Sequence, residues 1–335
     1  MNVTDFCSSN SYIYLPTKKN PKVALVVETP LLANNAFKLY NPFSQKAKLF
    51  KKTSQLLFAY ATPLAKKIFG SQKFEKSKFI SYLENKLDQK LVVSLYFATV
   101  GDKIVLQLQT PEAKIVGYLK YPLNDIGLKH LENEKNAIEI LSEKNIIQKY
   151  ILHDNFASRP FLLLTALDGK IGLLERSYIN EMLLRFKREK VYILSEHPRI
   201  KILKNSVPIN MPHYLRIIEK VCQKSTIQYS LVYEHGDYTP WNIVKVDNEY
   251  IPFDFEYFVE DGLEFFDLIK YYYQIGKLLE NRRHSKLFEY IQSKVTIPEI
   301  FELLQLFLIE EIIRGHEENE PFDIELELLE YLENK

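Results

Sequence analysis

The stretch LVYEHGDYTPWNIV, residues 231–244, decides how this 335-residue chain is interpreted. It begins as a run of strand-forming residues, breaks at His-Gly-Asp, and places Asn242 five residues after Asp237. The segment that follows, IVKVDNEYIPFDFE, favours a hairpin, because two apolar runs flank an Asp-Asn turn. Such a hairpin would fold Asp254 back beside Asn242. The spacing therefore predicts that Asp237, Asn242 and Asp254 converge at one end of a small hairpin.

These three side chains match the needs of phosphoryl transfer. A carboxylate must orient the accepting hydroxyl and take its proton, and Asp237 is the candidate. Magnesium in such sites takes a few carboxylate or amide oxygens together with water and phosphate oxygens. Asn242 and Asp254 would supply two of those oxygens. The pattern thus favours one catalytic base and a metal site with two protein ligands.

The bulk composition is that of a soluble globular protein. Hydrophobic residues make up 46% of the chain and charged residues 26%, and the formal net charge of +1 does not favour nucleic acid as a partner. The two cysteines, Cys7 and Cys222, suggest no disulfide framework and fit a reducing compartment. No secretory signal and no apolar run of membrane-spanning length is recognised. We therefore expect a cytoplasmic protein.

The apolar pattern divides the chain into three parts. Residues 1–90 mix a short strand with helices and carry no recognisable chemistry. Residues 91–166 predict three strands with short turns, one helix and two more strands. Residues 167–335 mostly carry apolar residues at intervals of three and four, which is typical of helices. We expect an α+β chain in which a five-stranded antiparallel sheet with one helix precedes a mainly helical part.

The motif and this order of elements resemble the aminoglycoside phosphotransferase and choline kinase branch of the protein-kinase-like fold. HGDYTPWN, residues 235–242, matches the His-Gly-Asp-x-x-x-x-Asn pattern of that branch at all four fixed positions. FDFE, residues 253–256, resembles its metal-binding Asp strand. The resemblance implies a bilobal fold, with a nucleotide-binding N-lobe at residues 91–166 and a C-lobe at residues 167–335 that carries the catalytic loop, the metal site and the acceptor site.

The resemblance also implies a lysine for the nucleotide. Lys120, at the end of the third predicted strand, would grip the α- and β-phosphates, and a glutamate on the following helix would hold it. Glu134 is preferred because Ile138 and Leu141 then lie four and seven residues on, near the inner face of the helix. Glu132 is the reserve choice.

The phosphate-covering loop and the hinge follow from the same resemblance. The turn ATVGD, residues 98–102, corresponds to the loop over the phosphates, with Thr99 and Gly101 as its contacts. It has one glycine where protein kinases have three. The segment LTALDG corresponds to the hinge, whose backbone would meet the adenine edge. The hinge residues are Thr165, Ala166 and Leu167.

Two further residues would support the site. By the resemblance, His235 braces the catalytic loop through hydrogen bonds and does not titrate in the reaction. Asp267 corresponds to a buried aspartate that holds the backbone of that loop. An exposed position on its helix is an equal alternative for Asp267, since a carboxylate is costly to bury without hydrogen-bond donors.

The function implied is a Mg²⁺-dependent phosphotransferase that moves the γ-phosphate of ATP, or of GTP, to a hydroxyl of a small molecule such as a sugar, an amino alcohol or an aminoglycoside-like metabolite. The alternative is a catalytically inactive nucleotide-binding or scaffold protein on the same fold, which the single glycine of the phosphate loop favours. A protein kinase is disfavoured because the short gap between Asp254 and the helix at Phe265 leaves no room for an activation loop. Four acidic residues suit either a cationic acceptor or a solvated surface: Glu256, Glu260, Asp261 and Glu264.

The lysine-rich segment at residues 46–78 leaves two interpretations open. A basic amphipathic helix can make a weak peripheral contact with an anionic membrane surface. A solvated lysine face above packed apolar positions is the alternative that we favour. One hypothesis for the whole of residues 1–90 is that they shape or cover the acceptor site.

Overall fold

The computed structural model divides into two compact units. Unit 1 is formed by Met1–Lys135 and Gln148–Ala166, and unit 2 by Asn136–Ile147 and Leu167–Lys335. The residues that the structure describes are 3–40, 45–98 and 101–335.

Unit 1 is built on one antiparallel sheet. Its strands are β1 (Ser11–Pro16), β2 (Pro21–Val26), β3 (Gln72–Lys73), β4 (Val92–Phe97), β5 (Lys103–Gln109), β6 (Ile115–Pro122), β7 (Leu152–Phe156) and β8 (Arg159–Thr165). They lie in the order β3-β1-β2-β4-β5-β6-β8-β7, and every neighbouring pair is antiparallel.

The prediction of a five-stranded sheet is wrong in its count. The five strands expected within residues 91–166 are present, with a helix after the third, but β2 pairs with β4 and carries the sheet on to eight strands. Residues 1–90 therefore lie within unit 1. The physical reason is the apolar edge that β4 would otherwise leave unpaired, since an exposed sheet edge invites aggregation.

The helices of unit 1 cover this sheet and extend its core. They are α1 (Pro30–Ala36), α2 (Gln45–Tyr60), α3 (Thr62–Phe69), α4 (Lys78–Leu87) and the first part of α5 (Asp125–Glu143). The ring of Phe79 on α4 lies 5.6 Å from Phe6, 5.4 Å from Tyr121 on β6 and 5.4 Å from Phe161 on β8. These aromatic contacts bind the N-terminal residues to the strand that carries Lys120.

Unit 2 is mainly helical, as expected. Its helices are α6 (Arg176–Arg185), α7 (Pro198–Ser206), α8 (Pro212–Lys224), α9 (Phe266–Gln274), α10 (His284–Lys294), α11 (Ile300–Glu318) and α12 (Asp323–Glu333), and α9 continues into a π-helical turn at Ile275–Leu279. None of the helices described in the chain is long and apolar enough to cross a membrane.

Two small sheets interrupt these helices. Their strands are β9 (Lys170–Ile171), β10 (Lys187–Ile193), β11 (Gln228–Glu234), β12 (Ile243–Val246), β13 (Glu249–Pro252) and β14 (Val259–Leu263), in the orders β10-β11-β14 and β13-β12-β9. The sequence predicts that the helix of α6 runs on to Lys190, but it ends at Arg185. Lys187 instead pairs with Val232 of β11, so a contact distant in sequence overrides the local helical pattern.

Candidate active site

The backbone of the catalytic loop is held by Asp267. The amide of His235 donates to Oδ2 of Asp267 over 2.7 Å, and the amide of Gly236 donates to Oδ1 over 3.0 Å. Asp267 is the second residue of α9 and is only 5% exposed, so the buried alternative applies. Burial raises the pKa of Asp267 to about 8, the negative charge of Glu234 adds to the rise, and the two amides oppose it.

His235 ties the same loop to the hairpin that follows. Its Nε2 lies 3.0 Å from the carbonyl oxygen of Phe253, which can only accept, so Nε2 carries the hydrogen. Nδ1 accepts from the amide of Asp237 over 3.3 Å. Burial lowers the pKa of the imidazole, against the opposing charge of Asp237. These contacts describe a neutral His235 in one tautomer with a bracing position.

Gly236 is required by the path of the loop. Its φ is +77°, in the left-handed region that favours glycine. A Cβ at this position would lie 2.1 Å from the carbonyl oxygen of Tyr257. The close approach of two backbone segments explains why glycine separates His235 from Asp237.

Asp237 and Asn242 are in direct contact. The Nδ2 group of Asn242 donates to Oδ2 of Asp237 over 2.7 Å and to its backbone oxygen over 3.0 Å. The side chain of Asp237 is 24% exposed, so a small molecule in solvent can reach it. Because Nδ2 faces Asp237, Oδ1 is the end of the amide that a cation would take.

The predicted hairpin is present and carries Asp254 at its end. Ile243 of β12 pairs with Pro252 of β13, and the amide of Phe253 donates to the carbonyl oxygen of Asn242 over 2.9 Å. Asp254 comes directly after that contact and has a φ of +69°. Aspartate tolerates this left-handed conformation better than most residues, and such strain collects at functional sites.

The donor set of this hairpin fits a magnesium ion. One carboxylate from Asp254 and one amide oxygen from Asn242 are hard oxygen donors of the kind that Mg²⁺ takes alongside phosphates and water. In the part of the chain that the structure describes, no three His, Cys, Asp or Glu side chains could hold a metal by themselves. A metal at this hairpin would take its remaining ligands from water and phosphate oxygens.

Three residues of this site were missed in the sequence. Lys270 on α9 is buried, with its Nζ 3.5 Å from Oδ1 of Asp237 and 2.7 Å from Oε2 of Glu311 on α11. Arg314 pairs with Glu311 and donates to the carbonyl oxygen of Gly236 over 3.3 Å. The available signal was the spacing of Lys270, three residues after Asp267 on one helical face. Nothing local predicts that α11 reaches the loop.

Lys120 and Glu134 form a buried ion pair within unit 1. Nζ of Lys120 lies 2.7 Å from Oε1 and 2.6 Å from Oε2 of Glu134, and both side chains are almost completely buried. Glu132 is 44% exposed, with its Oε1 3.9 Å from Nε2 of His153. The structure therefore places Glu134, and not Glu132, against Lys120.

The expected phosphate loop lies between β4 and β5, and Thr99 falls outside the described residues. Gly101 has a φ of +73°, and its amide donates to the carbonyl oxygen of Ala98 over 3.0 Å. The next residue anchors the turn, because the carbonyl oxygen of Asp102 accepts from the amide of Leu123 over 2.6 Å and its Oδ2 lies 3.2 Å from Nδ1 of His130.

The expected hinge coincides with the end of β8. Thr165 is the last residue of that strand, Ala166 is the last residue of unit 1, and Leu167 begins the second segment of unit 2. The contact of their backbone with adenine stays a prediction.

No family model matches this chain, and no curated protein matches it. Several solved structures are similar to it. Aminoglycoside phosphotransferase APH(3'')-Id from Streptomyces rimosus, solved with ADP and streptomycin, is 13% identical with a TM-score of 0.44, over 65% of this chain and 92% of that one. APH(2'')-IIa with gentamicin is 13% identical with a TM-score of 0.43, over 78% and 96%.

Amicoumacin kinase hAmiN, solved with AMP-PNP and Ca²⁺, is 14% identical with a TM-score of 0.39, over 72% of this chain and 87% of that one. The likeness to each of these structures is remote in both sequence and backbone. Two of these structures are named as aminoglycoside phosphotransferases and the third as an amicoumacin kinase.

Proposed function

We propose that this chain is a Mg²⁺-dependent phosphotransferase that moves the γ-phosphate of ATP, or of GTP, to a hydroxyl of a small molecule. The observation that carries the proposal is the catalytic loop. Asp237 is partly exposed and contacts Asn242. The loop backbone around it is held by hydrogen bonds to the side chains of Asp267 and His235. A carboxylate held in one position and open to solvent is arranged to accept a proton from a bound hydroxyl, which an ordinary surface carboxylate is not.

In the proposed reaction, Asp237 orients the acceptor hydroxyl and takes its proton. The hydroxyl oxygen forms a bond to the γ-phosphorus as the bond to the β-phosphate oxygen breaks, and the nucleoside diphosphate leaves. Lys270 partly neutralises the negative charge around Asp237, since its ammonium lies 3.5 Å from Oδ1. The hydrogen bond from Asn242 fixes the orientation of the Asp237 carboxylate, because it holds Oδ2.

The hairpin is the proposed metal site. Oδ1 of Asn242 and the carboxylate of Asp254 would hold Mg²⁺, and the ion would supply positive charge to the phosphate oxygens. The left-handed backbone of Asp254 is compatible with the assignment, because aspartate tolerates this conformation and such conformations occur at functional sites.

Lys120 is the proposed phosphate-binding cation. A buried lysine is costly unless a carboxylate accompanies it, and Glu134 does so through both of its oxygens. The pair supports the proposal because it keeps the side-chain nitrogen of Lys120 fixed on the strand β6. Gly101 and Thr99, and the backbone from Thr165 to Leu167, complete the proposed nucleotide contacts.

The acceptor class stays a small hydroxyl compound, such as a sugar, an amino alcohol or an aminoglycoside-like metabolite. Asp261 is paired with Arg188 over 2.6 Å, and Glu264 is paired with Lys187 over 2.7 Å. These two carboxylates are thus neutralised by their own chain and do not favour a cationic acceptor.

Two measurements test the proposal. Thermal unfolding with ATP or GTP, each with and without Mg²⁺, should give a metal-dependent rise in melting temperature, since ligands that bind only the folded state stabilise it. Incubation with radiolabelled ATP and a panel of hydroxyl metabolites should then label one class of acceptor.

The outcome that would contradict the proposal is the absence of metal-dependent stabilisation by either nucleotide. That result would support the scaffold alternative, for which the single glycine of the loop at Gly101 is the supporting observation. Stabilisation by nucleotide without transfer to any acceptor would support an inactive nucleotide-binding protein.

A further inference from the structure

Helices α2 and α3 of unit 1 present apolar side chains to solvent. Leu49, Leu56 and Tyr60 follow one another at intervals of seven and four along α2, and Leu64 and Ile68 are four apart on α3. Each leaves half or more of its surface exposed, from 50% for Leu56 to 88% for Tyr60. Such spacing places each set on one face of its helix. We call these five residues the outer apolar face.

The outer apolar face is separate from the residues that hold these helices to unit 1. Ser54 and Phe58 on α2 and Ala65 on α3 are buried, and the rings of Phe58 and Phe69 lie 5.5 Å apart. The core thus already has its packing residues on the inner side. Packing beneath a lysine surface explains the inner apolar positions, but it leaves the outer ones unexplained.

The charged residues of α2 and α3 are all lysines, of which Lys66 pairs with Glu28 over 3.5 Å. From Thr29 to Phe74 the sequence contains eight lysines and no aspartate or glutamate. Lys48 and Lys52 on α2 and Lys67 on α3 are exposed. Within the described part of the chain, these three lysines make no ion pair. The face therefore combines exposed leucine, isoleucine and tyrosine side chains with uncompensated ammonium groups.

We propose that α2 and α3 form a peripheral docking surface for an anionic lipid membrane. The helices lie in the plane of the headgroups, the outer apolar face enters the boundary with the acyl chains, and the lysines contact lipid phosphates. Tyr60, the most exposed of the five, has the amphipathic ring that concentrates at this boundary. The inference does not depend on the proposed phosphotransfer.

A protein partner fits this surface less well. Lysine is depleted from the cores of protein interfaces, whereas helices that lie on membranes are rich in it. A second copy of the chain would bring two positively charged faces together, which is repulsive. The charge and the apolar residues together thus favour lipid.

Flotation of the full chain with vesicles tests the proposal. Phosphatidylcholine vesicles that contain phosphatidylglycerol should carry the protein upward, and vesicles of phosphatidylcholine alone should leave it behind. Raising the salt concentration should reduce binding to the anionic vesicles, because salt screens exposed charges. Equal binding to both vesicle types, or no binding to either, would overturn the proposal.

Substitutions separate the contributions of charge and apolar contact. Neutralising Lys48, Lys52 and Lys67 to Gln should lower partition onto anionic vesicles roughly a hundredfold, since each lysine near such a surface contributes about fivefold. The matched control neutralises three exposed lysines of unit 2 and should bind as the unaltered protein does. The control positions are Lys190, Lys220 and Lys224.

The apolar contribution has its own variant. Changing Leu49, Leu56 and Leu64 to Ser should lower partition at least about tenfold, because buried apolar area is lost. The control is Leu184→Ser with Ile209→Ser, two exposed apolar residues of unit 2. If the variants and controls bind alike, the face is not the docking surface. Light scattering, which measures the molar mass in solution, is the second readout. If the unaltered protein is a dimer and the variant with Leu49, Leu56 and Leu64 changed to Ser is a monomer, the face is a contact between copies and the proposal is overturned.

Discussion

Lys120 and Asp237 are positioned in different ways. Lys120 is part of a regular strand, where sheet register and the apolar neighbours Leu119 and Tyr121 fix its direction. Asp237 is on an irregular loop that His235 of the loop itself and side chains from α9 and α11 hold by hydrogen bonds and ion pairs. The first arrangement depends on packing, and the second on a buried polar network. A single substitution should therefore have different consequences at the two positions, in stability for Lys120 and in turnover for Asp237.

The largest expected effect is a loss of turnover when Asp237, on the loop held by the polar network, is changed. Asp237→Asn should lower kcat roughly 10²–10⁴-fold, the usual contribution of a positioned general base. Nucleotide affinity should change little, because the proposed contact of Asp237 is with the acceptor hydroxyl and not with the nucleotide. Steady-state kinetics and nucleotide titration measure both quantities.

The matched control for this variant is Asp247→Asn, an exposed turn residue of the same hairpin with a φ of +52°, which asparagine also tolerates. It should keep full activity. Near-normal turnover of Asp237→Asn would remove Asp237 from its proposed role.

For Lys120, the expected loss is in stability. Lys120→Met should lower the free energy of unfolding by about 3–5 kcal/mol, because it removes the ammonium that neutralises the buried Glu134. Denaturant unfolding measures the loss. The double variant Lys120→Met with Glu134→Gln should recover part of it, since no buried charge then lacks its counter-charge. A double variant as unstable as the sum of the single ones would show that the two side chains do not act as a pair.

The same contrast explains which parts of the molecule the sequence could predict. Alternating apolar residues set the strands at residues 91–166, and the spacing of Ile138 and Leu141 selected Glu134 over Glu132, because both signals are local. The hairpin that returns Asp254 to Asn242 is also local. The contact of Lys270 with Glu311 joins residues 41 apart, and the contact of Arg314 with Gly236 joins residues 78 apart. The pairing of β2 with β4 was missed for a similar reason, since the alternating pattern of a strand does not indicate which other strand it pairs with.

Gly236 tests the shape of the catalytic loop without altering any charge. Gly236→Ala should lower the free energy of unfolding by about 1–3 kcal/mol and impair turnover, because φ is +77° and the new Cβ would meet the carbonyl oxygen of Tyr257. Gly172→Ala is the matched control, since a Cβ there would have no atom within 4 Å. Equal stability and activity of the two variants would show that the loop can shift without loss.

The smallest effect concerns the pH dependence that Asp267 gives to the network. Burial raises its pKa to about 8, well above the value of about 3.9 in an unfolded chain. Between these values the folded protein holds a proton that the unfolded chain has released, so the free energy of unfolding falls as pH rises, by at most about 1.4 kcal/mol per pH unit. The fall should end above about pH 8.

Denaturant unfolding between about pH 6.5 and 8 covers the upper end of this fall. The lowered pKa of His235 adds a slope of opposite sign near pH 6.5, because the unfolded histidine still binds a proton there. Glu310, whose pKa burial raises to about 7, acts in the same direction as Asp267, so the variant Asp267→Asn is needed as reference. That variant should be less stable overall but have the shallower slope. A slope in the unaltered protein no steeper than in the variant would mean that the two amide hydrogen bonds outweigh burial. Asp267 would then hold the loop as a carboxylate, and its contribution to the free energy of unfolding would not depend on pH in this range.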